Sequence, residues 1–336
     1  MGQSLSKIII FGFFTFLTIQ SRASSRSADN SAHSATLYSE YRSSSGPWAK
    51  FAKTHKQKRE LINSMLHWIN ESELGKKIIH DARKRAHQVY KKSLLDLISF
   101  SQASVTDNTV LRRFFAHAPH QVSYEFRSTI FLASDLTYAH ATIDLAHELT
   151  HFTYKPLVNP YEHFDHPVDF VRKVIDGHGG EVDAFMNECQ VGKELMGSGF
   201  LQQGLCKHFV NGKTQDVDRV EVLKGFYALG EYQGQFLQAI DVISRNLPSL
   251  PETVVTYFPY VSQASTILIS SAYNLPYPLA ALQEFQKVRA NICRSEWKRI
   301  SMAQRIKGNS EVNYKFRLIS SDIQSKCSGL KSDSLR

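Results

Sequence analysis

Apolar positions divide the chain into a helical first part, a strand-rich middle and a long helical remainder. From Trp48 to about position 99 the apolar residues recur at helical spacing, in two stripes separated by a polar break at 70–75. This pattern predicts a helical hairpin. The two stripes consist of Leu61, Ile62, Met65, Trp68 and Ile69, followed by Ile78, Ile79, Ala82, Ala86, Val89 and Tyr90.

The spacing of apolar residues becomes alternating between positions 110 and 133. Val122, Tyr124 and Phe126 alternate with more polar residues, and Thr129–Leu132 is a short run of residues that favour β-structure. Strands are therefore predicted in this region.

Helical spacing returns after the predicted strands. Ser134 and Asp135 are suitable N-cap residues for a helix over about 136–153. A long loop is expected over 154–180 and a further helix over 181–196. The rest of the chain is predicted to be mostly helical, with breaks near 197–216, 246–252 and 274–278.

The N-terminus has the pattern of a secretory signal peptide. Lys7 precedes the apolar or small-residue stretch Ile8–Ile19, and the small residues Ser21 and Ala23 fit the cleavage rule. A stretch of this length is too short to span a bilayer comfortably. We therefore expect removal of residues 1–23 and export, to the periplasm or the extracellular space, of a chain without a transmembrane span.

Export changes the interpretation of the four cysteines, Cys189, Cys206, Cys293 and Cys327. An even number in an oxidising compartment favours disulfides, and local pairing of the first with the second and the third with the fourth is the simplest of three connectivities. Buried free thiols are the alternative. The chain has no Cys-x-x-Cys pair, so a zinc site built from cysteines is disfavoured.

The formal net charge of +9 is unevenly distributed. Residues 47–96 carry twelve basic and five acidic side chains, residues 287–336 carry twelve and four, and the middle, 97–286, has a net charge of −8. The flanks are thus cationic arms that suit an anionic surface, although solvated helix faces are the commoner explanation. No nucleic-acid-binding motif accompanies them, so a specific nucleic-acid partner is not expected.

The motif with the most specific chemistry is His147-Glu-Leu-Thr-His151, inside a stretch without Gly or Pro. Two imidazoles four residues apart lie on one face of a helix and can bind one metal ion, and Glu148 between them is placed to act as a general base. The alternative for the two histidines is an ordinary polar position on an amphipathic helix.

A catalytic zinc site of this kind needs a third protein ligand and one open position for water. The metzincin continuation is absent, because Tyr154 and Leu157 occupy the positions of its glycine and its third histidine. The remaining common solution is an acid on a separate downstream helix. Glu181 fits this role, with Asp183 or Glu188 as alternatives, although an acid at a helix N-terminus also has a purely structural explanation.

The order of strand, HELTH helix, loop and a second helix beginning Glu-x-x-Ala-Phe resembles the gluzincin clan of zinc metallopeptidases, especially its compact, minimal members. The resemblance covers about residues 120–195. It implies a zincin-like core in which His147, His151 and Glu181 bind Zn²⁺ and Glu148 is the catalytic base.

The chain departs from this family at one position. Members of the thermolysin type carry an acid four residues after the ligand glutamate, and this chain has Phe185 there. Another group must therefore accept an imidazole N–H and orient a ligand histidine. The candidates are Asp144, Asp183 and Glu188.

These features predict an α+β, mostly helical fold with a small sheet, an HExxH helix and a downstream glutamate helix. The predicted organisation is a signal peptide over 1–23, a flexible Ser-rich leader over 24–46, an N-terminal helical segment over 47–100, a zincin-like catalytic core over 101–200, and a C-terminal helical region over 201–336 that packs on the core.

The expected function is hydrolysis of peptide bonds, in a peptide or protein substrate, by a zinc-activated water. The donor that stabilises the transition-state oxyanion is open among His163, His166, His178 and Tyr154. The strand around Thr129–Leu132 is expected at the edge of the cleft, where a peptide can pair by β-addition. The alternative function is a secreted, non-catalytic binding protein on a zincin scaffold that holds an anionic surface with its cationic arms.

Overall fold

The computed structural model describes residues 4–10, 46–115, 118–162, 166–244, 267–271, 274–304 and Cys327. Within these residues the chain forms eight α-helices and one four-stranded sheet, so the expected α+β, mostly helical fold is confirmed. The strands are β1 Ser4–Ile10, β2 Ile98–Ser101, β3 Val105–Phe115 and β4 Ala118–Ala133. The helices are α1 His55–Ile69, α2 Glu73–Tyr90, α3 Tyr138–Tyr154, α4 Pro167–Ile175, α5 Glu181–Met196, α6 Arg219–Tyr227, α7 Gln233–Ser244 and α8 Tyr277–Gln304.

The sheet is mixed, with the strand order β1-β3-β4-β2. Strands β3 and β4 form an antiparallel hairpin, β2 pairs with β4 in parallel, and β1 pairs with β3 antiparallel. The segment Thr129–Leu132 belongs to β4, which lies between β2 and β3, and Ile130 and Phe131 pair with both neighbours, so the expectation that it forms the cleft edge is wrong. The predicted signal peptide contains β1, and without that strand the free edge would belong to β3.

The predicted helical hairpin is confirmed as α1 and α2. Thr54 and Gln57 form a capping box at the start of α1, and the Ser72 side chain caps α2. The stripe of α1 is fully buried, and that of α2 is buried up to Ala86, whereas Val89 is 44% exposed. Val89 lies in the last turn of α2 on its exposed side, whereas the neighbouring Tyr90 packs its ring against Phe152 of α3 at 5.7 Å.

Helix α3 lies at the centre of the first hydrophobic core. It packs against α1, α2, α5 and the sheet, and every residue from Ala141 to Thr153 is buried. A helix covered on all sides needs no polar face, so its polar residues require specific partners inside the protein. The indole of Trp48 also closes this core, because its Nε1–H donates to the Ala133 carbonyl at 2.7 Å.

Helices α4 to α8 form a second hydrophobic core. The expected local disulfides are confirmed: Cys189–Cys206 links α5 to a short 3-10 turn, and Cys293–Cys327 links α8 to the C-terminal region. Helix α8 is also held on the sheet by Arg112 of β3, which is fully buried and contacts Glu296 in an ion pair.

Two predicted boundaries differ in the structure. The N-cap of α3 is Thr137, whose side chain accepts from the His140 N–H, and neither Ser134 nor Asp135 has this role. The expected loop over 154–180 contains α4, which starts with His166 as N-cap and Pro167 in its first turn. Proline breaks a helix in its interior but is favoured in the first turn, where its missing N–H costs nothing. The prolines of this segment therefore led to the prediction of a loop. Pro167 instead lies in the first turn of a helix.

Other predictions were met or lie outside the described residues. The helix predicted over 181–196 is α5, and α8 begins within the break predicted at 274–278. The leader predicted over 24–46 lies outside the described residues except for Gly46, and so does the break at 246–252. Among the helices described, none combines the length and the apolar character needed to cross a membrane.

Candidate metal centre

Helix α3 presents His147 and His151 toward the start of α5. The two residues are one helical turn apart and are 3% and 4% exposed. Glu181, the first residue of α5, is 2% exposed and lies against both imidazoles. We call these three residues the His–His–Glu cluster; they form a group that can hold a metal ion.

The distances in the cluster fit a tetrahedral metal ion. The Nε2 atoms of His147 and His151 lie 3.1 Å apart. The carboxylate oxygens of Glu181 lie 3.3 Å from Nε2 of His151 and 3.6 Å from Nε2 of His147. Three donors bound to one zinc ion at tetrahedral angles lie about 3.3 Å from each other. The three side chains therefore fit one small divalent cation without rearrangement.

Hydrogen bonds on the far side of each imidazole orient the rings. Nδ1–H of His147 donates to Glu188 Oε2 at 2.8 Å, and Nδ1–H of His151 donates to the Gly179 carbonyl at 2.8 Å. Both acceptors lack a proton to give, so each neutral ring carries its hydrogen on Nδ1 and directs the Nε2 lone pair at its neighbour. Two lone pairs and a carboxylate that converge in a buried space repel each other unless a cation lies between them.

Gly179 occupies a position that only glycine can fill without strain. Its φ is +69°, a backbone conformation that residues other than glycine rarely adopt. A Cβ at this position would lie 2.4 Å from the Lys155 backbone nitrogen. Its N–H donates to Asp183 at 3.0 Å, and that acid is not part of the His–His–Glu cluster. The turn that precedes α5 thus places the Gly179 carbonyl oxygen within hydrogen-bond distance of His151 Nδ1.

The protonation of the cluster depends on its carboxylates. Burial lowers the pKa of His147, but hydrogen bonds to Glu181 and Glu188 outweigh it, and the net pKa lies well above the usual value. Burial raises the pKa of Glu181, but the adjacent His151 and His147 outweigh it and the net pKa is lowered. Both shifts favour a positive charge on His147 beside a negatively charged Glu181.

Glu148 lies beside the cluster and is completely buried. Its Oε2 accepts a hydrogen bond from Thr106 Oγ1 on β3 at 2.8 Å, while Oε1 has no hydrogen-bond partner among the described residues. Burial raises the pKa of this carboxyl, partly offset by His151 and His147. A carboxylate with a raised pKa and one free oxygen can accept a proton from a bound water.

The three acids considered for orienting a histidine have separate roles. Glu188 binds His147, and Asp183 binds the Gly179 N–H and Arg219. Asp144 is hydrogen-bonded to Ser104 Oγ, and burial together with the nearby Glu148 raises its pKa to about 8. Because Glu188 contacts Nδ1 and not Nε2, only Glu181 among the candidate acids shares the cluster with the two histidines.

Of the described candidate donors, Tyr154 and His166 take part in other hydrogen bonds, and His178 lines the same cavity as Glu181. The Tyr154 hydroxyl donates to Asp81 at 3.1 Å, on the side of α2. The His178 side chain is 71% exposed, and His166 caps α4 through Nδ1. His163 lies outside the described residues.

Tyr277 is the residue that the sequence did not indicate. It is the first residue of α8, is 6% exposed, and packs its ring edge-on against Phe226 at 4.7 Å. Burial and the nearby charges of Glu181, Glu188 and Glu148 raise the pKa of its hydroxyl well above the usual value. Tyr277 lies 96 positions after Glu181 and lines the same cavity, and no local sequence pattern indicates this proximity.

A cavity of about 320 Å³ adjoins the cluster, and both Glu181 and Tyr277 line it. Its walls are formed by strands β3 and β4, the segment 155–160 and helices α4 and α8. Most of the wall is apolar, with Phe170, Val174, Ala281, Phe285 and Val288 among its residues. A mostly apolar cavity with a few polar groups is typical of ligand-binding sites.

No protein-family model matches the chain, and neither the curated proteins nor the solved structures contain a match to it.

Proposed function

We propose that this protein is an exported zinc-dependent metallopeptidase of gluzincin type, with His147, His151 and Glu181 as zinc ligands and Glu148 as general base. One observation carries the proposal: the two Nε2 atoms and the Glu181 carboxylate converge within 3.1–3.6 Å while each Nδ1 is engaged elsewhere. Two histidines and a glutamate are the ligand set of several zinc peptidases.

His147, His151 and Glu181 would hold the zinc ion, which would supply a Lewis acid and lower the pKa of water at the site to about 7. Glu148 accepts the proton of the attacking water on Oε1 and returns it to the leaving amine. Thr106 holds the other oxygen of that carboxylate and so fixes its direction. The Tyr277 hydroxyl donates to the oxyanion of the tetrahedral intermediate.

The edge of β3 that pairs with β1 supports a polypeptide substrate. Strand β1 pairs antiparallel with β3, and Ile10 lies opposite Asn108, two positions from Thr106. When the predicted signal peptide is removed, this edge is open to another extended chain that ends near Glu148. Backbone pairing provides affinity without requiring a particular sequence.

Two features support export. The disulfides Cys189–Cys206 and Cys293–Cys327 persist in oxidising compartments. The N-terminal pattern is that of a secretory signal.

The proposal is tested by comparing wild type with Glu148→Gln, and with Glu221→Gln as a matched control on the exposed surface of α6. We expect one zinc per chain in all three proteins and cleavage of an unfolded protein substrate by wild type and the control. Glu148→Gln should lower cleavage by about 10²- to 10⁴-fold because the proton acceptor is lost. Wild type without bound zinc, or full activity in Glu148→Gln, would refute the proposal.

A second candidate, the non-catalytic binding protein, is favoured by one observation. Helix α2 exposes a row of basic residues along one face, and its C-cap Lys91 follows them: the row consists of Lys76, His80, Arg83, Lys84 and His87. Such a row suits a polyanion. Polyanion binding that falls with salt, persists in Glu148→Gln and occurs without any peptide cleavage would favour this function over the peptidase.

A further inference from the structure

A basic residue that the proposed mechanism does not use lines the cavity beside the His–His–Glu cluster. Lys155 follows α3 directly and is half-buried. Resting on the proposed peptidase function, we propose that this cavity accepts the C-terminal residue of a polypeptide, so that the enzyme removes single residues from the C-terminus. Lys155 is the group that binds the terminal carboxylate.

The position of Lys155 relative to the cluster suits this role. Its backbone N–H donates to the His151 carbonyl at 3.1 Å, so Lys155 lies one helical turn, about 6 Å, beyond that histidine. Residues four apart lie on the same side of a helix. The carboxylate of a C-terminal residue is one Cα away from the last peptide bond, within about 4 Å of its carbonyl carbon. A terminal peptide bond held at the cluster therefore has its carboxylate within range of the Lys155 side chain.

The charges of the cavity wall favour an anion. Its basic residues are Arg127, Lys155 and Lys173, and its acidic residues are Glu181 and Glu284. Glu181 belongs to the His–His–Glu cluster, where a divalent cation would outweigh its charge. Glu284 has a cation on its own helix, since Lys287 Nζ lies 3.9 Å from its Oε2. With the cluster filled, the wall is therefore positively charged and attracts a carboxylate.

Lys155 is the best placed of the three basic residues. Arg127 forms an ion pair with Glu125 at 2.6 Å and its side chain is 55% exposed, and Lys173 is exposed and has an interaction partner of its own. Water and salt screen exposed charges of this kind. Lys155 is only partly exposed, and within the described part of the chain no hydrogen bond or ion pair engages its ammonium group. A half-buried ammonium gains a charge-assisted hydrogen bond when a carboxylate enters.

The edge of β3 orients a substrate strand in the direction that this role requires. Strand β1 runs antiparallel to β3, and its last residue, Ile10, lies opposite Asn108. The C-terminal end of β1 thus points toward Thr106, which donates to Glu148 and lines the cavity together with Asn108. A substrate strand that takes the place of β1 in the same direction therefore approaches the cluster with its C-terminus first.

The size and lining of the cavity fit one terminal residue. Its volume of about 320 Å³ is at the lower end of ligand-binding sites, which span roughly 300–1,000 Å³. Phe170, Phe285 and Val288 are among the apolar residues that line it, so a large apolar side chain gains most from entering. Strands β3 and β4 and helices α4 and α8 surround this space, so it does not accommodate a chain that continues for many residues.

The reaction consumes only water. The hydroxyl of the water bonds to the carbonyl carbon, the C–N bond breaks, and the remaining proton passes through Glu148 to the leaving amine. The released amino acid carries away the carboxylate that Lys155 held.

The test uses zinc-loaded protein and short N-acetylated peptides of one sequence ending in Phe, with either a free C-terminal carboxylate or a C-terminal amide. Mass spectrometry identifies the products. We expect free Phe from the carboxylate peptide, with kcat/KM about ten- to a hundred-fold above that of the amide peptide, as for a charge pair. In Lys155→Met this preference should fall to within about three-fold. Lys155→Arg keeps the charge and should keep most of the preference.

Control and counter-outcomes separate this inference from the proposed function. Lys77→Met, which removes an exposed lysine of α2, should keep the wild-type preference. Equal cleavage of both peptides, cleavage confined to internal bonds, or a preference that Lys155→Met does not change would overturn the inference while the peptidase function stands.

Affinity is measured as well, in zinc-loaded Glu148→Gln, so that the result does not depend on catalysis. The carboxylate peptide should bind at least about ten-fold more tightly than the amide peptide, and adding Lys155→Met should remove the difference. Equal affinities would refute the role of Lys155 even if no peptide were cleaved.

Discussion

Glu188 accepts the Nδ1–H of His147 at 2.8 Å, across the interface between α5 and α3. The same helix supplies Glu181 to the opposite nitrogen of that ring, at 3.6 Å. Two carboxylates seven residues apart on α5 therefore hold one imidazole from both sides. This arrangement determines which nitrogen of His147 faces Glu181 and His151, and of the candidates Asp144, Asp183 and Glu188 it is Glu188 that accepts the imidazole N–H.

Glu188→Ala should weaken zinc binding by about 10- to 100-fold, because the His147 ring loses the partner that sets its tautomer and orientation. Zinc affinity measured by competition with a chelator checks this expectation. Glu194→Ala, an acid on the same helix that bonds Ser72, is the matched control and should bind zinc as wild type does. Equal affinities in Glu188→Ala and wild type would show that packing alone orients the ring.

Glu181→Ala should lower zinc affinity by more than Glu188→Ala does, because it removes a donor from the cluster itself. Glu181→Gln keeps the shape of the side chain but removes its charge, so it should retain a larger part of the affinity. Metal content after dialysis against a chelator distinguishes the variants. An unchanged zinc content in Glu181→Ala would transfer the role of third ligand to another acid.

Tyr277→Phe should reduce kcat by about 10²- to 10³-fold with little change in KM, as expected for loss of a donor to the oxyanion. The zinc content should be unchanged. Tyr154→Phe is the matched control, since it removes a hydroxyl that donates to Asp81 on the far side of α3. Similar losses of kcat in both variants would argue against a specific role for Tyr277.

Asp144→Asn should change how the stability of the metal-free protein depends on pH. The folded pKa of Asp144, about 8, lies above its ordinary value of 3.8. The folded state therefore binds this proton more tightly than the unfolded chain does. The resulting stabilisation is complete below pH 4 and is lost as the pH rises to 8.

The amide side chain that this substitution introduces is neutral at every pH, so the variant should be the more stable protein at pH 8. Its advantage should shrink or reverse near pH 4. Urea unfolding at both pH values measures the difference, and Asp96→Asn on the exposed surface serves as control. A difference in unfolding free energy that does not vary with pH would show that Asp144 does not titrate in this range.

Much of the fold and of the candidate site could be predicted from local sequence patterns. The stripes of α1 and α2 and the bounds of α5 follow from helical spacing, and the spacing of His147 and His151 on one turn of α3 follows from helix geometry. Glu181 could be selected because a zinc site needs a third ligand and its helix starts shortly downstream. These inferences need only short stretches of chain.

The features that escaped prediction depend on contacts between distant segments. Tyr277 and Glu284 of α8 line the same cavity as Glu181. His151 donates a hydrogen bond to the backbone carbonyl of Gly179. A contact with the backbone cannot be predicted from the pattern of side chains. Strand β4 became interior because β2 pairs with it in parallel, a choice that tertiary packing makes.

The disulfide Cys189–Cys206 begins at the residue that follows Glu188. Oxidation of this pair restrains α5, the helix from which both carboxylates reach His147. In a reducing environment that restraint is lost, and the positions of Glu181 and Glu188 rest on packing alone. Under the proposed function, formation of this disulfide is therefore expected to precede high-affinity binding of the metal ion.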